Sequence, residues 1–319
     1  MRGVNFGDDR GGRPLYRTGW ERTMGMNPIK ILLQTTIPTT ADDWSIARFS
    51  SLAALLDKAR SPAGERLFQV TARDRDPPGA ADSVLSNIDT SDYDELWLFA
   101  VDTGDGLTDQ DCEAVSRFRQ RGGGLLATRD HMDLGSSICS LAGVGKAHYF
   151  HSRNLDPVVE NRAIDDPFTT YISWPNYHSG ANGDFQRVEP VLPVHPVLED
   201  SGVPEGRTRF LPSHPHEGAV AAPPDEEARV IAQGVSKITG RRFNLAVAFE
   251  AGLAGGRAIA QSTFHHFADY NWDISSGAPS FVSEAPGGGM KANPEALAAT
   301  HRYVLNVAAW LANRDRRRG

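Results

Sequence analysis

Between residues 29 and 130 short apolar runs alternate with amphipathic stretches, and this alternation constrains the fold more than any other feature of the chain. IKILLQTTI (29–37), LFQVTARD (67–74), YDELWLFAV (93–101) and GLLATRD (124–130) read as four strands. Between the first two, ADDWSIARFSSLAALLDKAR places Ile46, Phe49, Leu52, Leu55 and Leu56 at helical spacing, with Asp42 or Asp43 as the expected N-cap. Before the fourth, LTDQDCEAVSRFRQRGGG reads as a helix capped by Thr108 and stopped by glycines. Strand alternating with helix predicts an α/β fold, a flavodoxin-like parallel sheet with helices on both faces. In such a sheet ligands bind beyond the carboxyl ends of the strands.

Later segments extend the pattern. ARVIAQGVS (228–236) and FNLAVAFE (243–250) are expected to form an antiparallel hairpin, GRAIAQSTF (256–264) a further strand, and PEALAATHRYVLNVAAWLAN a closing helix with Leu297, Val304, Val307, Ala308 and Leu311 on one face. Residues 1–27 are expected to be a flexible leader, 28–313 a single domain with an irregular insertion at about 145–225, and 314–319 a basic tail.

Composition narrows the function. A net charge of -7 argues against a nucleic-acid partner, since phosphate contacts need a basic face. The chain has no apolar run long enough to span a membrane and no recognisable export signal, so a cytoplasmic location is expected. Two cysteines, Cys112 and Cys139, exclude a disulfide scaffold and a cysteine-rich zinc site. Nothing indicates a nucleotide cofactor. A homodimer is compatible with a sheet of this kind.

Histidine carries the chemistry. All ten histidines lie at or after residue 131. Three clusters stand out. Arg129, Asp130 and His131 end the fourth strand, in what resembles a strand–elbow–helix junction. In LPSHPHEG, His214 and His216 sit at the spacing of two ligands of one metal, with Glu217 as a third ligand or general base. In STFHHFADYNWD, His265 and His266 follow a strand and should point apart. Each cluster alone also fits capped turns or satisfied core histidines. Two of the three directly follow strands, and that coincidence favours a shared site.

The order of these segments resembles the trehalose-utilisation (ThuA-like) family of the class I glutamine amidotransferase-like superfamily. The resemblance rests on LTDQDCEAVSRFRQRGGGLLATRDH, HPVLEDSGVPEGRTRFLPSHPHEG and GRAIAQSTFHH. It aligns His195-Pro196 with a His-Pro segment, Glu217 with an acidic position, and His265 or His266 with a late histidine. His216 stands where an aspartate is expected and Phe264 where a glycine is. The resemblance implies sugar metabolism and, in some members, a divalent metal. The superfamily's nucleophilic cysteine is missing from the elbow, so glutaminase chemistry is not expected.

These observations lead to an enzyme, a hydrolase or lyase acting on a small polar substrate such as a sugar. Arg129, Asp130, His131 and Glu217 are its candidate catalytic groups, and His214, His216, His265 and His266 the candidate ligands of a divalent metal such as zinc. A metal-free acid–base site built on His131 or His216 is an alternative enzyme. The alternative from another class is a non-catalytic binding or assembly domain that kept the fold without its nucleophile.

Overall fold

The computed structural model describes residues 27–162, 164–165 and 171–312. The expected leader up to residue 26 and the basic tail lie outside the described residues. Among the described residues twelve strands run in chain order: β1 (Ile29–Thr35), β2 (Phe68–Arg73), β3 (Glu95–Phe99), β4 (Gly124–Thr128), β5 (His148–Tyr149), β6 (Phe185–Arg187), β7 (Glu189–Pro190), β8 (Phe210–Pro212), β9 (Ala219–Val220), β10 (Ala228–Val235), β11 (Arg242–Phe249) and β12 (Ala258–Gln261). The helices are α1 (Ser50–Lys58), α2 (Asp109–Gln120), α3 (Asp269–Trp272), α4 (Gly289–Ala292) and α5 (Pro294–Leu311).

Eight strands form one sheet in the order β2-β1-β3-β4-β12-β11-β10-β7. β2, β1, β3, β4 and β12 pair in parallel; β11, β10 and β7 continue antiparallel. The expected α/β sheet and the hairpin between β10 and β11 are both present.

Side-chain alternation explains the layers. Ile31 and Leu33, Trp97 and Phe99, Leu126 and Ile259 face a core that contains Leu52 and Leu56 of α1 and Val304, Val307 and Leu311 of α5. Phe49 stacks on Phe99 there, with ring centroids 3.9 Å apart. Leu32, Leu96, Leu98, Leu125 and Ala127 face the other way, against Val115 and Phe118 of α2. Because both faces are covered, β3 and β4 are buried along their whole length, and their apolar runs are nearly continuous.

Local differences have local causes. Thr108 caps α2 in a reciprocal box with Asp111, as its spacing predicts. The first helix does not start at Asp42 or Asp43. Asp43 sits at positive φ, Ser45 caps a 3-10 turn over Ile46–Phe49, and α1 follows from Ser50. No α-helix stands between β4 and β5 among the described residues. Met132 takes a positive φ and a 3-10 turn covers Ser136–Ser140, so the elbow does not present a helix N-terminus. Between β4 and β10 the described residues make only short elements, including the two-stranded pairs β5–β9 and β6–β8.

Candidate active site

The first three parallel strands to contribute end side by side. Beyond β1 comes Ile37, beyond β3 Val101, and beyond β4 Asp130. β12 lies next to β4, in parallel, and after it Thr263 caps a 3-10 turn over Phe264–His266. That turn, rather than an extended strand, parts the two histidines. His265 turns to Asp130, with Nε2 3.5 Å from Oδ2, while His266 turns the other way to Glu217.

The LPSHPHEG segment is brought to the same edge by backbone pairing. Tyr177 and Glu217 exchange N–H···O bonds of 2.8 and 3.0 Å, Ser179 N–H donates to the His214 carbonyl at 3.0 Å, and Gly218 N–H donates to the Ser262 carbonyl at 3.1 Å. A Cβ on Gly218 would lie 2.3 Å from Arg129 Nε and 2.7 Å from the Asp130 carbonyl. Only glycine allows so close an approach of this segment to the end of β4.

The result is a cluster of four imidazoles around one carboxylate. His214 and His265 stack with centroids 3.4 Å apart; His216 is 5.7 Å from His214 and 5.4 Å from His131. His131 Nδ1 lies 3.9 Å from Asp130 Oδ2, and His214 Nδ1 lies 3.8 Å from Asp130 Oδ1. Asp130, His214 and His265 are all buried and present ligand atoms within 4.8 Å of one another, so they could hold a metal ion. Burial opposes ionisation of Asp130, but the protonated forms of His131 and His265 and a hydrogen bond to His265 bring its pKa below the ordinary value. Burial pushes the His131 pKa down to about 4 and that of His214 well below the usual imidazole value, so both are neutral near pH 7. Neutral imidazole and ionised carboxylate are the forms that bind metal.

The chain shares its fold with a ThuA-like protein from Parabacteroides merdae, at a TM-score of 0.51 and 17% identity over 90% of this chain and 91% of that one. The fold is ThuA-like. It is an α/β fold with a mixed, mainly parallel sheet. The glutaminase domain of Trypanosoma brucei CTPS with bound acivicin is also similar, at a TM-score of 0.43 and 14% identity, over 88% of this chain and 94% of that domain. No family model matches the chain, and no curated protein matches it.

Within this ThuA-like fold the candidate residues fall into two groups. Asp130, His131, His214, His216 and His265 meet. Glu217 and His266 form a second, deeper pair with Nε2 and Oε2 3.3 Å apart, both fully buried. Glu217 also accepts hydrogen bonds from Ser179 Oγ, Gln186 Nε2 and Ser262 Oγ, and His266 Nδ1 lies 2.6 Å from Gln261 Nε2. Of the expected ligands, His214 and His265 lie in the triad with Asp130, whereas His266 turns to Glu217 and His216 pairs through Nε2 with Glu284 Oε1 at 3.2 Å. Glu217 is likewise enclosed by its partners instead of facing the triad. Arg129 is fully buried, lies with Cζ 4.0 Å from the centre of the Phe150 ring, and donates to the carbonyls of Asp130, Met132 and Ala219. Its guanidinium fastens the elbow and does not offer a free fork to a substrate. Burial lowers its pKa to about 9, still high enough to keep the charge.

Some neighbours had no distinctive sequence signal. Glu284 lies in a Gly/Pro/Ser-rich stretch, Ser179 follows His178 in a glycine-rich loop, and Gln186 lies just beyond that loop. Tyr270 and Asn271 were more accessible to reading, being five and six residues beyond His265. Tyr270 OH lies 2.7 Å and Asn271 Oδ1 3.1 Å from His265 Nδ1. Asn271 Nδ2 donates to Asn182 Oδ1 and the Ser213 carbonyl, which turns its Oδ1 towards His265 as an acceptor. An Nδ1–H···O bond leaves the Nε2 lone pair directed to the Asp130 side.

Proposed function

We propose that the protein is a metal-dependent hydrolase or lyase of small molecules, with a divalent ion, zinc, held by Asp130, His214 and His265. The observation that carries this reading is the convergence of those three side chains in a buried position. The donor set supports it: Asp130 Oδ1 is buried with no hydrogen-bond partner among the described residues, and two neutral imidazoles complete a nitrogen-and-oxygen set of the kind used at catalytic zinc. A bound ion supplies Lewis-acid polarisation of a substrate oxygen and eases the ionisation of water.

The chain's own groups divide the remaining work. His131, beside Asp130, and His216, oriented by Glu284, are the proton carriers, their rings 5.4 Å apart next to the triad. Tyr270 and Asn271 orient His265. Glu217 and His266 lock the two histidine-bearing segments together from behind, and Arg129 locks the elbow. The absence of a cysteine near the elbow supports an activity other than glutaminase.

Elemental analysis of protein purified without chelator tests the reading, with about one zinc per chain expected. Asp130→Ala and His265→Ala should lose the ion. Hydrolase and lyase activity against a substrate panel should disappear with EDTA and return with zinc. Metal-free wild-type protein that takes up no zinc on titration would overturn it.

A further inference from the structure

A cavity of about 220 Å³ lies at the carboxyl edge of the sheet, with Asp130 in its wall. Its other walls are almost entirely hydrocarbon: Ile37, Trp44, Val101, Leu134, Phe264 and Phe281. The polar remainder is Thr40, Asp42 and Asp130, with no lysine, arginine or histidine among the described residues of the lining. Ile37, Val101 and Phe264 come from just beyond β1, β3 and β12, so the cavity is built by the strand ends themselves. Trp44 and Phe264 pack with ring centroids 4.8 Å apart and form one wall, and half-exposed Phe281 forms the rim. The Trp44 indole N–H is buried and has no acceptor among the described residues.

We propose that this cavity takes a compact hydrocarbon group of the substrate, the size of a six-membered ring, while the substrate's polar end meets Asp130, His214 and His265. This assignment rests on the metal-site reading for the polar end only. The volume is sufficient, because a cavity of about 150 Å³ lined by aliphatic and aromatic side chains accommodates benzene. The chemistry of the walls excludes a sugar from this position. A hexose carries a hydroxyl on almost every carbon, and most would be buried against Ile37, Val101, Leu134 and three aromatic rings with no partner. The two carboxylates also disfavour an anionic ring substituent, whereas a single hydroxyl or carbonyl on the ring could accept from Trp44.

The test uses the full chain, with and without zinc, and benzyl alcohol and glucose as probes, followed by saturation-transfer NMR and calorimetric titration. Benzyl alcohol should bind and glucose should not. Phe281→Ala, a half-exposed change that leaves the core intact, should weaken benzyl alcohol binding about tenfold or more, and Val101→Phe, which fills the cavity, should abolish it. Preference for glucose, or benzyl alcohol binding unchanged in both variants, would overturn the assignment. Zinc uptake without benzyl alcohol binding sinks this inference and leaves the metal reading standing. Benzyl alcohol binding with these variant effects, in protein that takes up no zinc, sinks the metal reading alone.

Discussion

At the scale of single residues, neighbours in sequence are sent to different tasks. Asp130 enters the triad while Arg129 beside it is spent on carbonyls, and His265 faces Asp130 while His266 faces Glu217. The residue types were visible in the sequence, and so was the rule that adjacent histidines diverge. Which one turned inward was not, because a 3-10 turn and the Thr263 cap set the direction. Glu217 is the sharpest case. Removing its carboxylate in Glu217→Ala leaves Ser179, Gln186, Ser262 and His266 without their shared acceptor, and should cost about 3 kcal/mol in denaturant unfolding. Asn271→Ala should weaken zinc binding by roughly 10- to 100-fold, measured by competition with a chelator, while leaving the fold intact.

At the scale of elements, the apolar runs located all seven long or fully buried strands of the main sheet, and boundaries moved by a residue or more because pairing partners, not hydropathy, decide where a strand ends. β12, for example, stops at Gln261, where its ladder with β4 ends at Thr128. Thr108 was legible as a cap because a capping box is local chemistry, and Thr108→Ala should lower stability by about 1 kcal/mol. Asp82 was not legible, since its partners come from separate turns. Its burial favours the neutral acid, but Arg73 and the N–H groups of Asp76, Leu85 and Val84 outweigh this and bring its pKa down to about 2. A depressed carboxylate pKa gives stability that is complete above the ordinary value of 3.8 and is lost as pH falls through about 2. The stability gap between wild type and Asp82→Asn, about 2 kcal/mol near neutral pH, should therefore shrink steadily in denaturation curves taken from about pH 5 down to about pH 2.

At the scale of the whole molecule, the histidine cluster forms because strand order places β4 and β12 side by side, although more than a hundred residues separate them. Parallel pairing then carries Asp130 and His265 to one edge. Strand alternation predicted the sheet, and the general rule for open α/β sheets predicted the edge. The arrival of His214 depended on pairing between residues 177–179 and 214–217 and on the close approach at Gly218, features with no periodic signature. No helix among the described residues is long and apolar enough to cross a membrane. The central claim, that Asp130, His214 and His265 hold one ion, is tested most directly by anomalous diffraction at the zinc edge from crystals grown with zinc. A peak about 2.0–2.2 Å from an Asp130 oxygen and from one nitrogen each of His214 and His265 is the predicted result. A zinc-replete crystal with no peak among these three side chains, or with its peak at the Glu217–His266 pair, would contradict it.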